Sequence, residues 1–156
     1  FNQRHWNLLV GLVFQNSSDQ FARLSAQDEI KLSQKNSLQP KYWTIKRIIQ
    51  CLQQLDLAGI LDQVCYQLSG GQQQKLQLLS LLIMAQPVLL LDEPFAGLDP
   101  QSLKQALQLI RETATQLQLS SLIVSHQRAG VTEKLDYELE LAHQQLTLLQ
   151  GGLNNG

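Results

Sequence analysis

Short runs of aliphatic residues alternate along this chain with longer amphipathic stretches. Leu8-Leu9-Val10-Gly11-Leu12-Val13-Phe14 is closed by the polar Gln15-Asn16-Ser17-Ser18-Asp19, which predicts a buried strand ending in a loop. From Ala26 to Leu57 the spacing becomes helical. Ile45, Ile48, Ile49, Leu52 and Leu55 fall on one expected face, and Lys46, Arg47, Gln50, Gln53 and Gln54 on the other. Pro40 divides this stretch, and Gly59 predicts a stop after Leu57. A segment opening at Gly70-Gly71 is apolar nearly all round from Leu76 to Met84, so a buried helix is expected, ended by Gln86-Pro87. Val88–Leu91 is apolar on both faces, as a central parallel strand requires. Gly97-Leu98-Asp99-Pro100 leads into an amphipathic helix, with Asp99 suited to its cap and Pro100 to its first position. Ser121–Ser125 predicts another buried strand, with His126 just beyond it. A short helix is expected over Ala129–Leu135, then a hairpin from Tyr137–Leu141 and Gln145–Leu149. The alternation predicts an α/β fold with a parallel sheet.

Composition narrows the class without naming it. The chain has 156 residues, enough for one ordinary core, and a formal net charge of -1. No basic field advertises nucleic acid, so none is expected as a partner. About one residue in six is glutamine, spread through periodic segments as helix surface. Cys51 and Cys65 are the only cysteines, and they are expected as reduced thiols rather than a disulfide or a metal site. No apolar run has membrane-spanning length. The chain opens on Phe1 without a starting Met, so it is expected to be cut from something longer.

Candidate chemistry gathers where open α/β sheets collect it, at the carboxyl ends of strands. Gln15 follows the first strand, Asp92-Glu93 the second and His126 the third. Asp92 suits Mg²⁺ held through water, because that ion keeps several waters and takes one or two carboxylates. Glu93 could polarise an attacking water as a general base. His126 could donate a hydrogen bond to a phosphoryl oxygen gaining charge. Gln15 could orient water or touch the metal. Ser69 with the amides of Gly70 and Gly71 makes a helix-start anion site. Taken singly, each has a bland reading: a lone Asp-Glu pair is more often a cap, and a lone Ser-Gly-Gly a turn. The ordered set reverses those weights.

That set resembles the nucleotide-binding domain of ATP-binding-cassette (ABC) proteins. Leu68-Ser69-Gly70-Gly71-Gln72 is similar to the family signature, and Val88–Asp92 with Glu93 to the Walker B strand and its glutamate. Ala96-Gly97-Leu98-Asp99 looks like the D-loop, Ser125-His126 the switch histidine and Val13-Phe14-Gln15 the Q-loop. Leu12–Asn16, Asp19-Gln20 and Asp28-Glu29-Ile30 look most like the ATPases of energy-coupling-factor and cobalt-type importers. The resemblance implies an incomplete P-loop-type core with a small helical subdomain and a C-terminal hairpin. Residues 1–25 would hold the Q-loop strand and the start of the subdomain, 26–70 the subdomain, and 71–156 the rest of the core. It implies ATP and Mg²⁺ as cofactors, a second ABC ATPase chain and a transmembrane subunit as partners, and a place on the cytoplasmic face of the membrane. Asp92, Glu93, Gln15 and His126 would serve one nucleotide. Ser69, Gly70, Gly71 and Gln72 would meet the nucleotide of the partner, and Asp99 would lie between the two.

The chain departs from that pattern in lacking any G-x-x-x-x-G-K-[ST] run, the Walker A loop. In isolation it is therefore expected to hold ATP weakly or not at all and to be inactive. His126 is followed by Gln127 where many relatives are acidic, and Gln73-Gln74-Lys75-Leu76 is less basic than is common. Two other classes stay open on the residues: a soluble ABC ATPase outside transport, and an inert remnant acting as an interaction domain.

Overall fold

Three parallel strands and four helices carry the site. The structure is a computed structural model describing residues 9–13, 21–126 and 136–151. Gln15 and the helix expected over 129–135 lie outside the described residues. In order come β1 (Val10–Val13), α1 (Ala26–Lys35), α2 (Ile45–Gln54), a 3-10 turn (Cys65–Gln67), α3 (Gly70–Met84), β2 (Val88–Asp92), α4 (Pro100–Leu117), β3 (Ser120–Val124) and a hairpin of β4 (Tyr137–Ala142) and β5 (Gln145–Gly151). The sheet order is β1-β2-β3, so β2 is central as its two-sided apolar pattern requires. Val13 lies beside Leu91, and Asp92 beside Val124, so all three strands end at one edge.

Helix starts follow the capping rules. Ser25, Thr44, Ser69 and Asp99 each accept a backbone N–H of the first turn they precede. At α3 the cap is reciprocal: Gln72 N–H donates to Ser69 Oγ, and Ser69 N–H to Gln72 Oε1. The helix ends at Ala85, which takes the left-handed conformation and closes its N–H onto Leu81 and Leu82. The α2 stop comes earlier than Gly59. Asp56 takes the left-handed turn, and Leu57 N–H bonds back to the Leu52 carbonyl at 2.7 Å.

The core lies between α3 and one face of the sheet. Every residue from Gln74 to Ile83 is buried, as the all-round apolar pattern predicts. Its close approach to β1 explains Gly11: a Cβ there would stand 2.6 Å from Leu81 Cδ1. Val13, Leu89 and Leu91 are buried on this side. Each side chain of that kind contributes roughly 1.5–3 kcal/mol when fully buried. The opposite face is different. Leu12, Leu90 and Leu122 sit in register across it, and Leu12 and Leu122 remain 43% and 55% exposed. Val124 is exposed too, so among the described residues β3 is not the buried strand expected but an edge strand with one open face.

One further correction concerns α2, while the expected hairpin is present. On α2 the buried stripe is Ile48, Cys51 and Leu52, continued by Leu55, whereas Ile45 and Ile49 face outward. The hairpin pairs Leu139 with Leu148 and Leu141 with Leu146. All four leucines are exposed. Cys51 and Cys65 are free, buried thiols, and burial pushes both upward in pKa. Among the described residues no helix is long and apolar enough to cross a membrane.

Candidate functional site

The end of β2 turns sharply. Asp92 is the last strand residue and is exposed. Glu93 follows with φ 48, a left-handed value that a non-glycine residue adopts at a cost of about 1–2 kcal/mol. Its N–H still reaches the Val124 carbonyl at 2.8 Å, so the sheet ladder extends one residue into the turn. This backbone reversal separates two consecutive carboxylates: Asp92 stands at the rim, and Glu93 is 8% exposed.

The Glu93 carboxylate is held by the segment after β3. His126 N–H donates to Oε1 at 2.8 Å, and the Ser125 hydroxyl donates to Oε2 at 3.3 Å. His126 Nε2 stands 3.7 Å from Oε1, too far for a hydrogen bond, and its ring is 96% exposed. The backbone of His126 thus anchors the glutamate while its imidazole is free to turn outward. A carboxylate accepts about four hydrogen bonds, so two acceptor positions on Glu93 remain after these. Its carbonyl is occupied as well, by Ala96 N–H at 3.1 Å and by Gln74 Nε2 at 3.3 Å.

The glycine turn stands at the same edge. Gly71 lies against the turn that precedes α4, where an added Cβ would be 3.6 Å from Leu98 Cδ2 and 3.7 Å from the Gly97 carbonyl. A Cβ on Gly70 would meet nothing within 4 Å. Neither glycine has the positive φ that Gly97 shows. The fold therefore requires glycine at neither position, although each weakens a helix relative to alanine. What glycine does provide there is bare backbone N–H groups at a helix start, open to an anion approaching from outside.

Asp99 caps α4 through Gln101 N–H and Ser102 N–H, both at 3.0 Å. Hydrogen bonding from Ser102, its hydroxyl first and then its N–H, holds the Asp99 carboxyl below the usual range. Lys75, buried beside Gln74 on α3, reaches Ser102 Oγ at 3.5 Å. The D-loop-like turn is thereby tied to α3.

The structure thus brings Asp92, Glu93, His126, Gly71 and Asp99 to one edge, with Ser69, Gly70 and Gln72 on the turn that opens there. Sequence reasoning missed Gln74, Ser125 and Lys75. Gln74 and Lys75 continue the polar run Gln72-Gln73, so nothing in the spacing marked them as buried. Ser125 carried no signal beyond its place before His126. No group of three or more metal-ligating side chains occurs among the described residues. Asp92 as a single exposed carboxylate suits an ion that keeps most of its waters, so Mg²⁺ fits the residues present. A cavity of about 480 Å³, lined by Tyr42, Arg47, Arg111 and Glu112 among others, lies elsewhere, between α2 and the last turns of α4. Those turns lead into the start of β3, away from the carboxylates.

The three-stranded parallel sheet with its polar strand-end edge defines an α/β core with a strand-end site. The family described as "ABC transporter" matches residues 2–96, more than half of the chain, and the chain belongs to that family. Curated relatives include the thiamine import ATP-binding protein ThiQ of Histophilus somni (strain 129Pt), 33% identical over 88% of this chain and 64% of its own length. ThiQ of Yersinia pestis is 34% identical over 93% of this chain and 58% of its own length. The chain thus spans about three fifths of these relatives. Among solved structures, cbiO1 of Clostridium perfringens, described as part of the ABC transporter complex cbiONQ, matches with TM-score 0.66 and 27% identity. That match covers 86% of this chain and 53% of cbiO1. A structure titled "RNase-L Inhibitor" matches at TM-score 0.71 with 21% identity over 86% of this chain and 25% of its own, a likeness of fold alone.

Proposed function

We propose that this chain is part of the ATP-binding subunit of an ABC importer, coupling ATP binding and hydrolysis to uptake of a small solute, a metal ion or a vitamin. The observation that carries the reading is the shared edge: a strand-end carboxylate pair, an outward imidazole and an open glycine-started helix all meet there. The importer class is supported by the thiamine-import relatives and by the likeness to cbiO1.

Each residue takes a role from its surroundings. Glu93 accepts the proton of the attacking water. Its carboxylate is oriented by Ser125 and the His126 N–H and keeps acceptor capacity. His126 turns its exposed imidazole toward the γ-phosphate and donates a hydrogen bond there as charge develops. Asp92, with Gln15 two residues beyond β1, would hold Mg²⁺. The ion supplies charge neutralisation on the phosphates when bound. Ser69, Gly70, Gly71 and Gln72 present a helix start to the nucleotide of a second ABC ATPase chain, and Asp99 lies between the two sites. ATP favours the closed dimer because the signature turn meets phosphate only in that state. A transmembrane subunit receives the movement at the cytoplasmic face of the membrane.

Glu93→Gln in the full-length protein tests the reading. The amide keeps the shape but cannot take a proton, so Mg-ATP binding should persist while turnover falls at least about 100-fold. Unchanged turnover would overturn the role of Glu93.

A further inference from the structure

Glu93 needs its backbone held as well as its carboxylate. A left-handed conformation at a glutamate persists only where its surroundings over-determine it. Three hydrogen bonds do so. Glu93 N–H is fixed by Val124 of β3, and its carbonyl by Ala96 N–H within the same turn. The third comes from a different element: Gln74 Nε2, on α3, reaches the Glu93 carbonyl across 19 positions of sequence. Gln74 is 3% exposed. Burying an amide there is costly unless it is hydrogen-bonded, and an apolar residue would fill the space without that cost.

We propose that Gln74 is a positioning residue for Glu93: its amide fixes the Glu93 carbonyl, and with it the turn that aims the carboxylate. This rests on the reading of Glu93 as the base. Gln74 follows Gly70 and Gly71 by about one helical turn on the same helix, so the turn of Glu93 is tied to the helix that the glycine turn opens.

The test uses two variants of the full-length protein assembled with its partner, with Glu93→Gln as control. Gln74→Met keeps the length and removes the donor. Gln74→Asn keeps an amide too short to reach. Both should lower kcat for Mg-ATP hydrolysis about tenfold or more with KM for ATP unchanged, and Gln74→Met should keep the wild-type Tm. A wild-type kcat in either folded variant would overturn the proposal, as would a joint change of kcat and KM in step with a lowered Tm. Failure of both variants to fold would mark the amide as structural and overturn it too. If Glu93→Gln itself retains turnover, the reading of Glu93 fails. If Glu93→Gln is dead while Gln74→Met turns over normally, only the positioning role fails.

Discussion

The carboxylate turn and the glycine turn lie at one edge of the molecule, yet they are built in opposite ways. Glu93 is buried and bonded through its N–H, carbonyl and both carboxylate oxygens, to partners from α3, β3, the segment after β3 and its own turn. Ser69 and Gln72 bond to each other, and Gly70 faces open space. A group that acts on a ligand of its own chain gains from being fixed by that chain. A turn that leaves its amides bare, and uses glycine where the fold does not need it, is arranged for something that arrives from outside.

Substitutions at the glycine turn should separate folding from function. Gly71→Asp places an acidic side chain in the first turn of α3, where the helix dipole favours it and an added Cβ makes only ordinary van der Waals contact. Its Tm should not fall, but repulsion of phosphate should lower turnover of the assembled protein about 100-fold. A normal rate would break the comparison. Ser69→Ala removes one half of the reciprocal cap and should lower stability by about 1 kcal/mol, read from denaturant midpoints. Gly70→Ala should raise stability by roughly 0.5–1 kcal/mol, because alanine favours the helix and its Cβ meets nothing. A loss of stability there would mean that the fold does require the glycine.

The smallest expected effect is a control on burial itself. Glu29 is another buried carboxylate, accepting N–H groups of Ala22 and Arg23 rather than of the segment after β3. Burial outweighs those bonds and raises its pKa above 4.5. The folded state therefore binds the proton more tightly than the unfolded chain does. That contribution to stability is fully present below pH 4.5 and is lost as pH rises through the folded value. Glu29→Gln should flatten this decline and leave turnover unchanged. An unaltered pH slope would show that burial does not govern this carboxylate.

Much of this was legible in the chain. The strand ending at Asp92, its central place and the buried helix before it follow from apolar residues on every side. Capping by Asp99 follows from residue type alone. What was not legible depends on neighbours rather than spacing. Ile45 and Ile49 share the helical periodicity of Ile48 and Leu52, and only the placement of α2 decides which of them is covered. Leu122 and Val124 read as core, but among the described residues β3 lies at the sheet edge with one face open. Gln74 looked like one more surface glutamine. Its partner is the carbonyl of a residue 19 positions away, which no local pattern encodes.

Mixed dimers give the most direct test of whether the two turns serve different nucleotides. Two differently tagged copies of the full-length protein are combined, one carrying Glu93→Gln and the other Gly71→Asp. If each catalytic site joins one copy's Glu93 to the other's signature turn, this pairing leaves one intact site and retains turnover. Placing both changes on one copy, opposite an unaltered copy, then spoils both sites and abolishes turnover. The reverse outcome, a dead separated pair and a live pair with both changes on one copy, would mean that each chain completes its own site.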